Sequence, residues 1–311
     1  MRQLLARWDE HAGVRVRPRR ILTGEAARAD REAGLAPFPA RLMPYYHHEG
    51  LASLSPDDRT ALSARHLYDY LHYTVHLETS VVNPGVIVIA HGDVGLPLTA
   101  QTKLDALRIY CDEGYHALTT LDAVDQMERA TGVPALPYDF APRLRRLALS
   151  SERFLPDQPD LARLLQVVVF ETVVTSILSD VPRDVTVYRL VREVVGDHAR
   201  DEATHHAFFL RFFTELWGAL PPAARTSVGR VIPRFIDDCL RPDLAGVRAS
   251  LIATGVDASL ADDVIVDCYA PARVGATVRV AARHLLRLCE SLHVFDEPGA
   301  REALHELGLA G

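Results

Sequence analysis

Seven residues of this chain combine the side-chain types and the spacing of a site for two metal ions. They form one half-site that occurs twice, a lone Glu followed by a Glu-x-x-His pair, and the second copy has an additional His one turn before its pair. The residues are Glu78, Glu113, His116, Glu171, His198, Glu202 and His205. Carboxylate and imidazole groups are the ligands of non-haem iron. The set therefore predicts two iron ions and dioxygen chemistry.

The spacing brings these side chains together if the chain is helical. Residues three and four apart share one face of a helix, so Glu113 and His116 point the same way. His198, Glu202 and His205 likewise form one stripe. The two lone Glu residues precede their Glu-x-x-His pairs by similar distances, which suit a helix that turns and returns antiparallel. These features predict a four-helix bundle with the metals in its core.

The neighbouring sequence is apolar, as in YTVHLETSVV and VVVFETVVTSIL, so the carboxylates are expected to be buried. Four buried carboxylates repel one another unless cations neutralise them, and two divalent ions would do so. A single Glu-x-x-His is expected by chance and would more often be a surface pair. Two half-sites in order on helices are much harder to explain in that way.

Several other histidines are close in sequence to this set. His205 shares a face with Glu202, which favours it as the ligand and leaves His206 on a side face. His72, His76 and His91 lie off the predicted ligand stripe. We interpret these three as ordinary histidines.

Helical periodicity dominates after an arm rich in Arg, Pro and Gly at residues 1–60, and period-2 alternation is nearly absent. The predicted class is all-α, a bundle at 61–218 with peripheral helices at 219–311, in one domain. Residues 86–90 remain open as a strand or a connector. Expected bundle helices are 61–82, stopped at Asn83-Pro84-Gly85, then 99–130, 160–179, and 184–216 with a kink or bulge at Gly196. Expected breaks farther on are Pro233, Pro242, Pro271 and Pro298.

The composition and net charge of the chain indicate which classes of partner and which cellular location to expect. The chain has 311 residues, 48% of them hydrophobic, and a net charge of −7 with a pI near 6.0. This charge does not suggest a nucleic acid or an anionic membrane as partner. We find no signal-peptide or membrane-spanning pattern, which predicts a soluble, cytoplasmic protein. The four cysteines form no C-x-x-C and are interpreted as reduced thiols.

The seven residues resemble the p-aminobenzoate N-oxygenase family over about residues 65–215, with His198 as the additional ligand that separates this family from ordinary ferritins. The resemblance implies a ferritin-like di-iron fold. It also implies O2-dependent oxygenation of an amine, by family an arylamine, to a hydroxylamine, nitroso or nitro product in secondary metabolism such as antibiotic biosynthesis. An external reductase or ferredoxin would supply electrons, the substrate would be free or tethered to a carrier protein, and a homodimer is expected.

Similar di-iron proteins use an Asp just before the ligand Glu to bond the histidine of the opposite helix. Asp112 and Asp201 hold those positions, and the alternative is that they are surface acids. Val174, Ile177 and Leu178 lie within two turns of Glu171 and are predicted to line an apolar substrate pocket.

Two other functions remain open at this point. One is a di-iron oxygenase that acts on carbon, and the other is a non-catalytic ferritin-like iron-binding protein. A radical-tyrosine protein is disfavoured, because Thr120 stands where that tyrosine would be.

Overall fold

A computed structural model describes residues 4–173 and 178–310 of the chain. The described residues contain helices and no β-strand, with one isolated parallel bridge between Ala36 and Val187. The predicted all-α class is confirmed. No helix of the described residues is both long enough and apolar enough to span a membrane.

The described helices are short in the N-terminal arm, long around the site and of medium length in the C-terminal third. They are α1 Trp8–His11, α2 Gly13–Val16, α3 Gly24–Glu32, α4 Pro56–Leu77, α5 Asn83–His91, α6 Ala100–Thr131, α7 Ala141–Phe154, α8 Pro159–Val173, α9 Arg189–Ala219, α10 Pro222–Leu240, α11 Leu244–Ala253, α12 Ala258–Cys268, α13 Pro271–Ala281, α14 Arg283–Ser291 and α15 Ala300–Glu306.

Helix α4 begins a few residues earlier than the sequence predicts, because Ser55 caps it. The Ser55 hydroxyl accepts from the Asp58 backbone N–H, and the Asp58 carboxylate accepts from the Ser55 N–H, which is a capping box. Pro56 occupies the first turn, where no backbone N–H bond is required.

The predicted stop at Asn83-Pro84-Gly85 is wrong. Helix α4 passes through a π-turn, Glu78–Val82, directly into α5, so residues 86–90 are helical and not a strand. Pro84 falls in the first turn of α5, where its missing N–H costs little. A Cβ on Gly85 would lie 2.8 Å from the Val167 side chain. This glycine therefore permits close contact with α8 and does not end a helix.

Helices α6 and α9 span the bundle, and both are regular. Thr99 caps α6, and Gly132, at φ +71°, ends it as predicted. Helix α9 starts later than predicted, at Arg189, after a 3₁₀ turn at Val181–Arg183. No π-bulge interrupts this described helix at Gly196, so the bulge expected there is wrong, while the alternative of a kink stays a prediction. The irregularity lies instead in the π-turn at Glu78.

The remaining helices enclose the bundle. Helix α8 is described from Pro159 to Val173, and the rest of the predicted helix lies partly outside the described residues. The expected break at Pro233 is wrong, since this proline lies buried within α10. Packing of α10 against α7, α8 and α15 outweighs a cost of about 3 kcal/mol for proline inside a helix. Helix α10 ends just before Pro242, and Pro271 begins α13.

The arm is part of the packed core. Phe38, Met43, Tyr45 and Leu51 are buried and belong to a second hydrophobic cluster with α4, α9 and α12. The division into an arm, a bundle and peripheral helices remains a prediction.

Candidate metal centre

The structure brings all seven predicted side chains to one place in the interior. Glu78 opens the π-turn, two residues come from α6, one from α8 and three from α9. Each is buried, at no more than 5% exposure. Buried carboxylates and imidazoles at this density require partners, since burial of an uncompensated charge is costly.

The π-turn places the first of these residues. A π-turn inserts one extra residue into a helical ladder and is frequent at functional sites. Here it begins at Glu78, whose Oε1 lies 3.4 Å from Nε2 of His198 on α9. The helix thus deviates from regular geometry at the residue that enters the cluster.

The ligand-type atoms fall into two overlapping groups, each with its atoms within 4.8 Å of one another. One group combines Glu78, Glu113, His116, His198 and Glu202, and the other combines Glu113, Glu171, Glu202 and His205. Glu113 and Glu202 belong to both. Two carboxylates shared between two groups is the arrangement in which carboxylates bridge a pair of metal ions. The additional histidine lies on the Glu78 side.

The shared carboxylates lie between two imidazoles. Nδ1 of His116 is 2.9 Å from Oε2 of Glu113 and 3.4 Å from Oε1 of Glu202. Nδ1 of His205 is 2.7 Å from Oε1 of Glu113 and 3.3 Å from Oε1 of Glu202. His198 differs, because it presents Nε2, at 3.2 Å from Oε1 of Glu202.

The outward nitrogens of two imidazoles meet carboxylates from the opposite helix. Nε2 of His205 on α9 lies 3.2 Å from Oδ2 of Asp112 on α6. Nε2 of His116 on α6 lies 3.2 Å from Oδ2 of Asp201 on α9. Both aspartates are buried. A carboxylate that accepts the Nε2–H would leave the Nδ1 lone pair facing the cluster.

The donor atoms at the centre fit a metal. Six inward-facing buried atoms make no hydrogen bond of normal geometry among the described residues: Glu78 Oε2, Glu113 Oε1, Glu171 Oε2, Glu202 Oε1, His198 Nε2 and His205 Nδ1. All but Glu78 Oε2 lie within 4.0 Å of an opposite ligand-type atom of the same cluster. Buried polar atoms are normally paired, so their concentration here needs an explanation. All six are oxygen or nitrogen donors of the kind that bind iron, and the donor set fits the predicted ions.

Electrostatics within the cluster is strongly perturbed. With protein groups alone, burial and the neighbouring carboxylates raise the pKa of Glu78 and Glu171 well above the ordinary carboxyl range. Burial is the largest single effect and opposes the charge of His116 and His205, but the surrounding carboxylates, Glu113 foremost, together outweigh it and raise the pKa of both imidazoles well above the ordinary value. Divalent cations bound here would therefore displace protons.

Sequence reasoning missed the contribution of the N-terminal arm. Trp8 Nε1 donates to Asp112 Oδ2 at 2.8 Å, and the Gly13 backbone N–H donates to Asp201 Oδ2 at 3.0 Å. Arg17 lies 3.8 Å from Asp201. These contacts join residues about a hundred or more positions apart. No spacing pattern in the sequence could have indicated them.

The other predicted residues lie as follows. His72 is half-buried, while His76 and His91 are exposed. The half-buried ring of His206 faces His284, with 6.2 Å between ring centroids. Val174 and Ile177 lie outside the described residues, and Leu178 is buried in the second hydrophobic cluster. The substrate pocket remains a prediction.

Comparison with known proteins supplies a family context for this centre. A family model described as P-aminobenzoate N-oxygenase AurF matches residues 23–293. A curated protein from Streptomyces thioluteus, a 4-aminobenzoate N-oxygenase, is 23% identical over 292 residues, which cover 90% of this chain and 79% of that protein. The residues that the family model matches include all seven members of the cluster.

Proposed function

Because the chain belongs to the p-aminobenzoate N-oxygenase family, we propose that it is a di-iron enzyme that oxygenates the nitrogen of an arylamine with O2. The observation that carries this proposal is the buried cluster in which two carboxylates are shared between two groups of donors. The product would be a hydroxylamine, nitroso or nitro compound. A ferritin-like helical fold accords with the all-α architecture.

We assign the donors to two iron ions. Glu78, His116 and His198 would bind the first ion, and Glu171 and His205 the second, with Glu113 and Glu202 shared. Four carboxylates balance the charge of two divalent irons, while the three imidazoles bind as neutral ligands. This assignment accounts for the buried atoms of the cluster that make no hydrogen bond of normal geometry.

The iron pair, when bound, supplies the redox chemistry by which O2 reacts with an otherwise inert amine. The chain's own residues contribute burial and orientation. The ligand side chains are at most 5% exposed, so they hold the reaction away from bulk water. Asp112 and Asp201 would keep the Nε2 proton on His205 and His116, which directs Nδ1 of each ring to the metals.

The apolar surroundings favour an aniline-type nitrogen. Phe170 and Val173, one residue before and two residues after Glu171 on α8, are buried. A protonated alkylamine would lose its hydration on entering such a site, whereas an aniline nitrogen is neutral at pH 7. We keep Val174, Ile177 and Leu178 as the proposed pocket lining.

Electrons must come from outside the chain, since the sequence contains no flavin, nicotinamide or iron–sulfur motif. We propose an external reductase or ferredoxin as donor, and either a free or a carrier-bound amine as substrate. The proposed location is the cytoplasm.

The direct test is a turnover experiment. Iron-loaded protein, reduced without oxygen and then exposed to isotopically labelled dioxygen, is expected to convert 4-aminobenzoate-like amines to products that retain the label on nitrogen. Benzoate, which lacks the amine, is the matched control. Mass spectra in which only carbon atoms are hydroxylated would overturn the nitrogen assignment and leave the metal centre standing.

The homodimer is supported by an apolar surface on the exposed side of α6. The surface, here the α6 stripe, consists of five side chains that are each more than 40% exposed: Leu104, Leu107, Tyr110, Leu118 and Leu121. From Leu104 to Leu121 it extends along about 26 Å of helix, at 1.5 Å per residue. Contiguous exposed apolar surface of this kind marks a protein interface.

The residues of α6 are arranged for self-pairing. Gly114, which is exposed, lies at the middle of the stripe, and a Cβ there would meet no neighbouring atom within 4 Å. Residues equally distant from it are complementary in an antiparallel pair of α6 helices from two copies. The pairs are Tyr110 with Leu118, Leu107 with Leu121, and Lys103 with Asp125. We therefore propose a second copy of this chain as the occupant.

Two substitutions test this dimer. Leu118→Glu is expected to convert the dimer to monomer, because it buries a charge in an apolar contact. The exposed Leu149 on α7 provides the matched control, Leu149→Glu. Light scattering after size exclusion measures both. In a Cys111→Ser background, Gly114→Cys should form disulfide-linked dimers, and a wild-type chain that is monomeric would contradict the proposal.

A further inference from the structure

One ten-residue stretch of the N-terminal arm contacts both aspartates that lie behind the ligand imidazoles. Trp8 donates its indole N–H to both oxygens of Asp112, at 3.0 and 2.8 Å. The Gly13 backbone N–H donates to Asp201, at 3.0 Å. Asp112 and Asp201 lie on different helices, so this stretch connects α6 and α9 across the outer side of the centre.

The contacts continue inward to separate imidazoles. Oδ2 of Asp112 faces Nε2 of His205, and Oδ2 of Asp201 faces Nε2 of His116, each at 3.2 Å. In each series of contacts, one carboxylate oxygen, Oδ2, both accepts a hydrogen bond from the arm and faces the imidazole Nε2. The arm therefore fixes the carboxylate at the atom through which the carboxylate holds the ring.

The contact between the Gly13 backbone N–H and Asp201 leaves no room for a side chain at position 13. A Cβ on Gly13 would lie 2.6 Å from Oδ2 of Asp201, so only glycine allows the backbone this close. The position does not require glycine for its backbone angles, since Gly13 is not among the described glycines with positive φ. Arg17 reinforces the contact by reaching Asp201 and the Asp197 carbonyl.

We propose that residues 8–17 form a clamp that orients the metal centre through two separate routes, one to each metal ion. Trp8 acts through Asp112 on His205 and the Glu171 side, and Gly13 acts through Asp201 on His116 and the Glu78 side. Both are positioning residues. The clamp rests on the proposed metal centre, but it lies ahead of residues 23–293 that match the family.

The two routes predict separable effects. Trp8→Phe keeps an aromatic ring and removes the indole N–H, so it should alter the iron bound by His205. Gly13→Ala displaces Asp201 and should alter the iron bound by His116. Each variant is expected to weaken one of two iron-binding steps, on the order of tenfold, because partners of ligand histidines typically have effects of this size.

Mössbauer spectra of the iron-loaded protein and anaerobic iron titration provide the test. One of two iron signals should change in Trp8→Phe and the other in Gly13→Ala. Gly24→Ala is the matched control, since no atom lies within 4 Å of its Cβ position. Wild-type signals in both variants, or the same change at both irons in each, would overturn the clamp while leaving the metal centre intact. A wild-type chain without iron would instead overturn the centre itself, and the clamp with it.

Discussion

Replacement of Glu202 by alanine is expected to abolish binding of both iron ions, whereas replacement of Glu171 by alanine should remove only one. Glu202 belongs to both donor groups and approaches all three imidazoles, while Glu171 belongs to one group. Loss of a shared carboxylate removes a ligand and a compensating charge from both ions. We expect affinity to fall on the order of 100-fold or more for each ion that loses a ligand, the upper end of effects seen for ligand partners.

Iron per chain, measured after desalting, distinguishes the two outcomes. Wild type should retain two irons, Glu171→Ala about one, and Glu202→Ala essentially none. Circular dichroism should show an intact helical fold in all three. Equal iron content in the two variants would contradict the assignment of Glu202 as shared and Glu171 as terminal.

Replacement of His198 by alanine is expected to separate metal binding from oxygenation. The other six ligands remain, so two irons should still bind. The ion on the Glu78 side would lose the ligand that presents Nε2, whose approach to Glu78 and Glu202 is distinct from that of the other two rings. We expect amine oxygenation to fall by about 10- to 100-fold, the usual effect of disturbing a metal's surroundings.

The matched control is His91→Ala on α5. The His91 side chain is exposed, and the contact of this residue with Lys103 is made by its backbone carbonyl, which accepts from the Lys103 ammonium group. Its removal should leave the iron content and turnover close to wild type. If His198→Ala oxygenates amines at the wild-type rate, then His198 is not the additional ligand.

The seven residues of the buried cluster could be identified from sequence because helical spacing is a local property. Residues three, four and seven apart share a face wherever a helix forms. Once α9 is predicted to be a helix, His198, Glu202 and His205 are therefore expected on one face of it. The apolar flanks of Glu171 further indicate burial. These signals need no knowledge of the rest of the chain.

The errors have a common origin in tertiary contacts. Asn83-Pro84-Gly85 is a sequence typical of a helix end. The chain nevertheless stays helical there, because the π-turn leads into α5 and Gly85 packs closely against Val167 on α8. Pro233 is held inside α10 by packing on three neighbouring helices. At Pro233, this packing outweighs a local preference of about 3 kcal/mol.

The sequence indicates only an irregular arm, and the contacts of this arm with Asp112 and Asp201 could not have been predicted. They depend on where residues 8–17 lie after the bundle has formed. A Trp and a Gly without a periodic pattern around them carry no such information.

The contacts of residues 8–17 with Asp112 and Asp201 can form only late in the synthesis of the chain. Residues 8–17 leave the ribosome well before their partner on α9, Asp201, which emerges only after α4 to α8 have been made. The outer side of the centre therefore cannot be completed during synthesis of α4 to α8. We expect iron to reach the cluster more readily before the arm docks than after, because the docked arm contacts Asp112 and Asp201. Iron loading should accordingly be fastest in freshly made chains and slow in mature protein.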